Sequence, residues 1–355
     1  MRVLMIEGRP AEHPIHRAYA KAIGADFIYI DKFLRYQGKS DNKLLVVTSW
    51  ILTCFYLLSK RKYTVYFCGG PCPPLTLLKS AGLLGKRKKI VSLAANETLF
   101  FLQEKKYSRF TASLFRKWYN QTINGLICIG SFQEELAQKN IGNKKVKIRK
   151  IFNGLDDDFF ENNRNFKYNV NAHDLLCVSN GPSGFRVYYK GIDLVIKVFE
   201  KCCLEGMSNG NLIIIGEWDG YTQKQLLKDV PLPIADRIIF TGYQNTYTPY
   251  LQSVGLSVHF SRGDSFPTSN LETLAMGIPT IVTDVTGTSE IVKNINADWV
   301  GPADVIELTE RVKRFFDLAE NEKLFLSNKA KDNLRSYKQT DSIQAFRGAF
   351  ECIID

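Results

Sequence analysis

Several features that would quickly class a protein are missing from this chain, and each absence narrows the reading. No apolar run reaches the roughly 18 residues expected of a membrane-spanning helix. The longest, Leu44 to Leu58 (LLVVTSWILTCFYLL), stops at 15 residues between Lys43 and Lys60-Arg61-Lys62. It reads first as a buried helix, with a membrane-docking helix edged by lysines as the alternative. Met1 to Ile6 is a strand pattern and Glu7 and Gly8 follow at once, so no signal peptide is expected. The eight cysteines (54, 68, 72, 128, 177, 202, 203, 352) lack the arrangement of a secreted scaffold, and several lie inside strand-like runs such as LICIG and LLCVS. They read as small buried hydrophobes in a reducing compartment, and the expected location is cytoplasmic. No His pair follows Cys68 and Cys72, so no zinc site is expected. Gly8 stands alone at the first strand–helix turn, not within a GxGxxG. There is neither an internal repeat nor a low-complexity tract, which excludes repeat arrays.

What is present is globular. At 355 residues, 45% hydrophobic and 23% charged, the chain is longer than one core usually supports, so two domains are expected. The net charge of +11 is uneven: residues 1–160 hold 27 Lys+Arg against 12 Asp+Glu, and the remainder is slightly acidic. A basic first half favours an anionic membrane surface or phosphorylated ligands, and nucleic acid is not expected as a partner.

Along the chain, RVLMIEG, FIYI (27–30), TVYFCGG, IVSLAA and NGLICIG read as strands separated by helical segments. This βαβα order predicts a parallel, doubly wound sheet. SRFTASLFRKWYNQTI reads as an amphipathic helix with a cationic face over a core face. The triple Asp156 to Asp158 lies in a turn and reads as helix capping, not as a metal motif. Glu161 to His173, polar and asparagine-rich, reads as a linker. A second α/β domain follows from Asp174, and the last thirty or so residues look helical.

The most informative stretch is 257–290, SVHFSRGDSFPTSNLETLAMGIPTIVTDVTGTSE. A strand (Leu256 to Phe260) runs into a polar loop (Ser261 to Ser269), then a helix (Asn270 to Met276) closed by Gly277, then a second strand (Pro279 to Thr283). Such a loop offers backbone N–H groups at a helix N-terminus, where partial positive charge suits phosphate. Asp264 and Glu272 bracket it eight positions apart, placed to hold hydroxyls on either side of a bound diphosphate. An ordinary βαβ crossover with a glycine cap is the plainer alternative.

On these residues the chain resembles the retaining family 4 glycosyltransferases (glycosyl transferases group 1). Asp264, Phe266, Glu272, Ala275, Gly277 and Pro279 fall on the family pattern E-x-F-x-x-x-x-x-E-A-M-A-x-G-x-P, with Asp264 standing where Glu is usual. Three further pieces come in the family's order: Arg186 and Lys190 in FRVYYKG, Gly216-Glu217 after LIII, and Phe240-Thr241-Gly242-Tyr243. Phe152-Asn153-Gly154-Leu155-Asp156 looks like the family's P-N-G-V-D turn, and Gly287-Thr288-Ser289-Glu290 like its G-G-x-x-E turn. The resemblance covers residues 120–320, and before that only the architecture.

The resemblance implies a GT-B fold: two Rossmann-like, doubly wound parallel-sheet domains facing a central cleft. The expected domains are 1–165, on the acceptor side, and 166–330, on the donor side, with a C-terminal helix over about 331–355 crossing back to the first. It implies a hexosyltransferase that takes a nucleotide-diphosphate sugar, such as a UDP- or GDP-hexose, to a glycan or polyprenyl-diphosphate-linked acceptor, with no cofactor and no metal. Lys190 and Arg186 would neutralise the departing diphosphate, Asp264 would orient sugar hydroxyls and Glu272 would hold the ribose. The backbone around Ser265, Phe266, Pro267, Thr268, Ser269, Asn270 and Leu271 would cap the phosphates. Gly8, Gly216, Glu217 and Tyr243 complete the expected donor site, with core packing the alternative for Tyr243. Many relatives place a histidine beside the sugar from the first domain. This chain has Asn96 and Glu97 there, with Glu97 the candidate and His13 or His16 as alternatives. The rival readings are an epimerase, a phosphorylase, and a catalytically weak subunit that partners an active transferase.

Overall fold

The computed structural model describes residues 1–7, 14–30, 43–60, 62–181, 185–207, 209–246 and 248–355. It divides into two compact units, one comprising Met1–Phe152 with Thr340–Asp355 and the other Asn153–Gln339.

The first unit alternates strand and helix: β1 (Val3–Glu7), α1 (Pro14–Ala22), β2 (Ala25–Tyr29), α2 (Lys43–Ser59), β3 (Val65–Cys68), α3 (Pro73–Ser80), β4 (Lys89–Leu93), α4 (Asn96–Gln103), α5 (Arg109–Lys117), β5 (Gly125–Ile129), α6 (Ser131–Asn140) and β6 (Lys147–Ile151). Its six strands are all parallel, in the order β2-β1-β3-β4-β5-β6. The central strands are continuous apolar runs because helices cover both faces. The edge strand β6, KIRKI, turns Lys and Arg to solvent, which discourages further pairing.

The second unit continues with α7 (Asp157–Asn162), β7 (Asp174–Val178), α8 (Phe185–Lys190), α9 (Ile192–Leu204), β8 (Leu212–Ile215), α10 (Gly220–Leu227), α11 (Leu232–Ala235), β9 (Ile238–Gly242), β10 (Val254–His259), α12 (Thr268–Ala275), β11 (Thr280–Thr283), α13 (Ser289–Ile295), β12 (Val300–Gly301), α14 (Val305–Phe316) and α15 (Glu320–Leu334). Its parallel sheet runs β12-β11-β10-β7-β8-β9. The order reverses between β7 and β10, and open α/β sheets bind ligands at the carboxyl ends of the strands flanking such a reversal.

The final helix, α16 (Gln339–Ile354), packs from Thr340 onward on the first unit. Phe346 stacks on Tyr19 with ring centroids 4.1 Å apart, Phe350 meets Phe67 edge-on at 5.9 Å, and Tyr19 Oη lies 3.1 Å from Ser342 Oγ. This aromatic row, with Val3, Met5, Val65 and Val91, forms the core under one face of the first sheet.

Two boundaries differ from the sequence reading. Residues 161–173 are not a free linker: Phe159, Phe166 and Tyr168 pack against Leu251, Val254 and Met276, and Tyr168 Oη donates to the Gly255 carbonyl at 2.7 Å. Phe166 and Tyr168 among many asparagines, with Phe159 just before them, are enough to anchor the segment, and the division falls at 152/153, not at 165/166. At the other end α15 stays with the second unit, so only 340–355, and not 331–355, belong to the first. The Asp156 carboxylate caps α7, accepting from the Asp158 N–H at 3.1 Å.

Candidate functional site

The loops after β7, β8, β9 and β10 gather at the carboxyl edge of the second sheet, and hydrogen bonds lace them together. Ser179 N–H donates to the Ile215 carbonyl at 2.8 Å, and Gly181 N–H to the Glu217 carbonyl at 3.1 Å. Glu217 N–H donates to Asn180 Oδ1 at 2.9 Å, and Gly216 N–H to the Gly242 carbonyl at 2.9 Å. Trp218, 5% exposed, donates from its indole nitrogen to the Ser179 carbonyl at 2.8 Å. Gly216 and Glu217 thus hold one loop to the next, with the Glu217 side chain left in solvent. Tyr243 is 65% exposed, which removes core packing as its role.

The polar centre lies where β7 and β10 separate. Lys190, the last residue of α8, places Nζ 2.5 Å from Asp264 Oδ2, and His259, the last residue of β10, places Nε2 3.1 Å from the same oxygen. Asp264 and His259 are 7% and 2% exposed. Burial by itself would raise the Asp264 carboxyl, but the Lys190 ammonium and the hydrogen bond and charge of His259 outweigh it and hold the group well below the usual carboxylate range. Oδ1 of Asp264 takes no hydrogen bond among the described residues and is the acceptor left for a ligand hydroxyl. Asp264 and Lys190 therefore meet directly, whereas their sequence-assigned tasks, sugar and diphosphate, kept them apart.

Close packing of backbone makes this geometry possible. Gly191, between α8 and α9, has φ +67°, and a Cβ there would strike the Phe260 carbonyl, so glycine alone lets Lys190 approach β10. The 261–270 loop is then tied to the turn after β11. Ser261 Oγ accepts from Asp264 N–H at 3.1 Å and lies 2.7 Å from Thr286 Oγ1; Thr283 Oγ1 donates to the Ser261 carbonyl at 2.5 Å. Gly287 N–H donates to the Asp264 carbonyl at 2.8 Å, and Asn270 Nδ2 donates to Thr288 Oγ1 at 2.9 Å. Satisfied buried networks of this kind rigidify what they surround.

α12 starts at Thr268, two residues before the expected position, because Pro267 at φ −66° already sets the turn into the helix. Ser265 and Pro267 are half-buried, Phe266 is 6% exposed, and Thr268 and Ser269 open the helix with their N–H groups forward. Leu271 is fully buried, so it can offer a ligand only backbone. Glu272 is half-buried on the helix's fifth position, past its first turn. Arg186 shares a face of α8 with Lys190 at i, i+4. Arg262, the nearby cation that sequence reasoning passed over, is committed to Asp193 by two hydrogen bonds of 2.8 and 2.7 Å.

The remaining candidates belong to the first unit. Glu97 sits in the first turn of α4, beyond the carboxyl end of β4. His16 Nδ1 pairs with Glu7 Oε1 at 2.8 Å. Gly8 and His13 lie outside the described residues.

Two six-stranded parallel sheets with flanking helices, the second carrying its polar centre at the β7/β10 reversal, define the GT-B class. Solved structures agree across nearly the whole chain. Sucrose-phosphate synthase from Thermosynechococcus elongatus matches with a TM-score of 0.76 at 13% identity, over 99% of this chain and 100% of that one. HepE from Anabaena, solved in complex with UDP and glucose, matches at 0.71 and 12%, over 99% and 100%. WaaG, a glycosyltransferase involved in lipopolysaccharide biosynthesis, matches at 0.67 and 14%, over 96% and 97%. Residues 173–317, within the second unit, match the family model Glycosyl transferases group 1. An uncharacterized glycosyltransferase of Methanocaldococcus jannaschii is 28% identical over 218 residues, covering 58% of this chain and 54% of its own. The N-acetyl-alpha-D-glucosaminyl L-malate synthase of Bacillus anthracis is 25% identical over 220 residues, covering 57% and 55%. The chain thus spans little more than half the length of these curated relatives.

Proposed function

We propose that the protein is a retaining, metal-independent glycosyltransferase that moves a hexose from a nucleotide-diphosphate sugar to a glycan or lipid-linked acceptor. The observation that carries this reading is the buried Lys190–Asp264–His259 group at the carboxyl edge of the second sheet. The family match of that unit supports it, as does the UDP and glucose held by HepE, a protein of the same fold.

In this reading the sheet edge and α12 receive the donor's diphosphate. Lys190 turns from Asp264 toward the phosphates, assisted by Arg186, and offsets the charge that grows as the bond from the anomeric carbon to the diphosphate oxygen breaks. The acceptor oxygen bonds to that carbon on the same face, and its proton passes to the departing phosphate oxygen. Asp264, still held by His259, turns Oδ1 to a sugar hydroxyl, and Glu272 takes the ribose. His259 is a positioning residue: it keeps the carboxylate in place when Lys190 leaves it. Tyr243, exposed just after β9, would flank the base.

The test is stereochemical. Incubation with a panel of UDP- and GDP-α-hexoses and a lipid-linked oligosaccharide acceptor, followed by proton NMR of the anomeric signal, is expected to show an α-linked product. A β-linked product overturns retention. Saturable donor binding with neither transfer nor hydrolysis would favour the partner-subunit reading.

A further inference from the structure

The helix α2 (Lys43–Ser59) is turned the opposite way from what its composition leads one to expect. The side chains it buries in the first unit include Ser49 and Thr53, whose hydroxyls donate to the Ile30 carbonyl at 2.6 and 3.0 Å. The side chains it leaves in solvent are Leu44 at 73% exposed, Val47 at 46%, Ile51 at 50% and Phe55 at 67%. Spaced by three and four residues, they lie on one stripe of the helix, with Leu45 and Leu52 beside it. α2 packs on α3, and α3 on α5. Further exposed apolar side chains are Leu77 on α3, Leu83 just after it and Phe110 on α5.

Large apolar side chains in this concentration are more than a soluble monomer ordinarily leaves in water, and they mark a docking surface. The surrounding charge identifies what docks. Residues 43–120 hold 14 Lys+Arg against 2 Asp+Glu. Lys60, Lys86, Arg87, Arg109, Arg116 and Lys117 are exposed around these helices. A second copy of the same face would bring these cations against each other. An anionic lipid surface presents the opposite charge and takes the apolar stripe as well. No helix among the described residues is long and apolar enough to cross a membrane, so α2 would lie in the plane of the surface.

We propose that the α2–α3–α5 face docks the protein on an anionic bilayer, with Leu44, Ile51 and Phe55 entering the acyl boundary while the lysines and arginines meet headgroup phosphates. Two components follow. The electrostatic one is screened as salt rises, and the apolar one is not.

The experiment is flotation of the full chain with vesicles of phosphatidylcholine and phosphatidylglycerol, or phosphatidylcholine alone, at low and high salt. It needs no transfer activity, so it succeeds or fails separately from the catalytic reading. The protein is expected to float with the anionic vesicles at low salt and to lose part of that binding at high salt. Ile51→Glu with Phe55→Glu, both at exposed positions, should lower the bound-to-free ratio at least tenfold without changing the circular dichroism spectrum or Tm. Lys86→Glu with Arg87→Glu should lower it several-fold at low salt and little at high salt. Three results overturn the proposal: no flotation of the wild type on anionic vesicles at low salt, a double variant at 51 and 55 that floats as well as the wild type, or a face that forms a homodimer and ignores vesicles.

Discussion

At the carboxyl edge of the second sheet, polar side chains are buried and committed to one another: Asp264 holds Lys190 and His259, and Ser261, Thr283 and Thr286 close a hydroxyl network behind it. On α2 of the first unit Ser49 and Thr53 turn inward beside Leu57, while Leu44, Ile51 and Phe55 turn outward. Both arrangements cost stability if nothing else uses them. A buried ion pair recovers little more than its desolvation, and exposed apolar area forgoes its burial. The difference lies in what each awaits. In the proposed reading the first opens one ion pair, Lys190 leaving Asp264 while His259 stays, to receive a charged ligand; the second gains only by leaving water against another surface.

Substitutions sharpen that contrast, beginning with the largest effect. Lys190→Ala should lower kcat/KM about 100-fold or more, the scale set by removing one preorganised charge-stabilising donor. Because His259 keeps the Asp264 carboxylate paired, the stability loss should stay near 1–3 kcal/mol, read by urea unfolding. Gly191→Ala should unsettle the same site through the backbone, since the left-handed conformation alone costs about 1–2 kcal/mol for a non-glycine residue and the Phe260 carbonyl adds a clash. Phe346→Ala, under the first sheet, should cost about 3–5 kcal/mol in the unfolding of that unit while leaving nucleotide affinity at the second unchanged, which titration calorimetry would check. His259→Gln should fall between wild type and Lys190→Ala in kcat while holding KM for the donor within a few-fold, as fits a positioning residue.

The pH dependence has a definite sign. The Asp264 carboxyl lies below the usual range in the folded protein, so its contribution is present above its unfolded value, near pH 4, and is lost as pH falls through the depressed one. The stability gap between wild type and Asp264→Asn should therefore stay level above about pH 5 and close below pH 4 in equilibrium unfolding. A gap that widened with acid would contradict the ion pair.

These comparisons also show where the sequence was readable. The βαβ order and the 257–290 stretch placed both sheets, α12 and Asp264, because strand and helix periods and glycine breaks are local signals. His259 was not legible as a site residue. In VGLSVHF a single histidine reads as core, and only the fold shows that Asp264, five residues on, turns back to its ring. The hydroxyl network of Ser261, Thr283 and Thr286 depends on two loops meeting and has no sequence period. α2 misled for another reason: nearly every position is apolar, so its pattern gives no face, and the hydrogen bonds of Ser49 and Thr53 to Ile30 decide which side turns in. Glu97, with His13 or His16 as alternatives, remains an expectation for the first unit, and Gly8 and His13 fall outside the described residues.

The most direct test of the central claim is calorimetric titration of UDP, GDP and their sugars into the wild type and Lys190→Ala at matched fold. Saturable binding of one nucleotide to the wild type, weakened at least tenfold in the variant, is the predicted result. Equal affinity in both proteins, or no nucleotide bound by the wild type, would contradict a donor site built on Lys190 and Asp264.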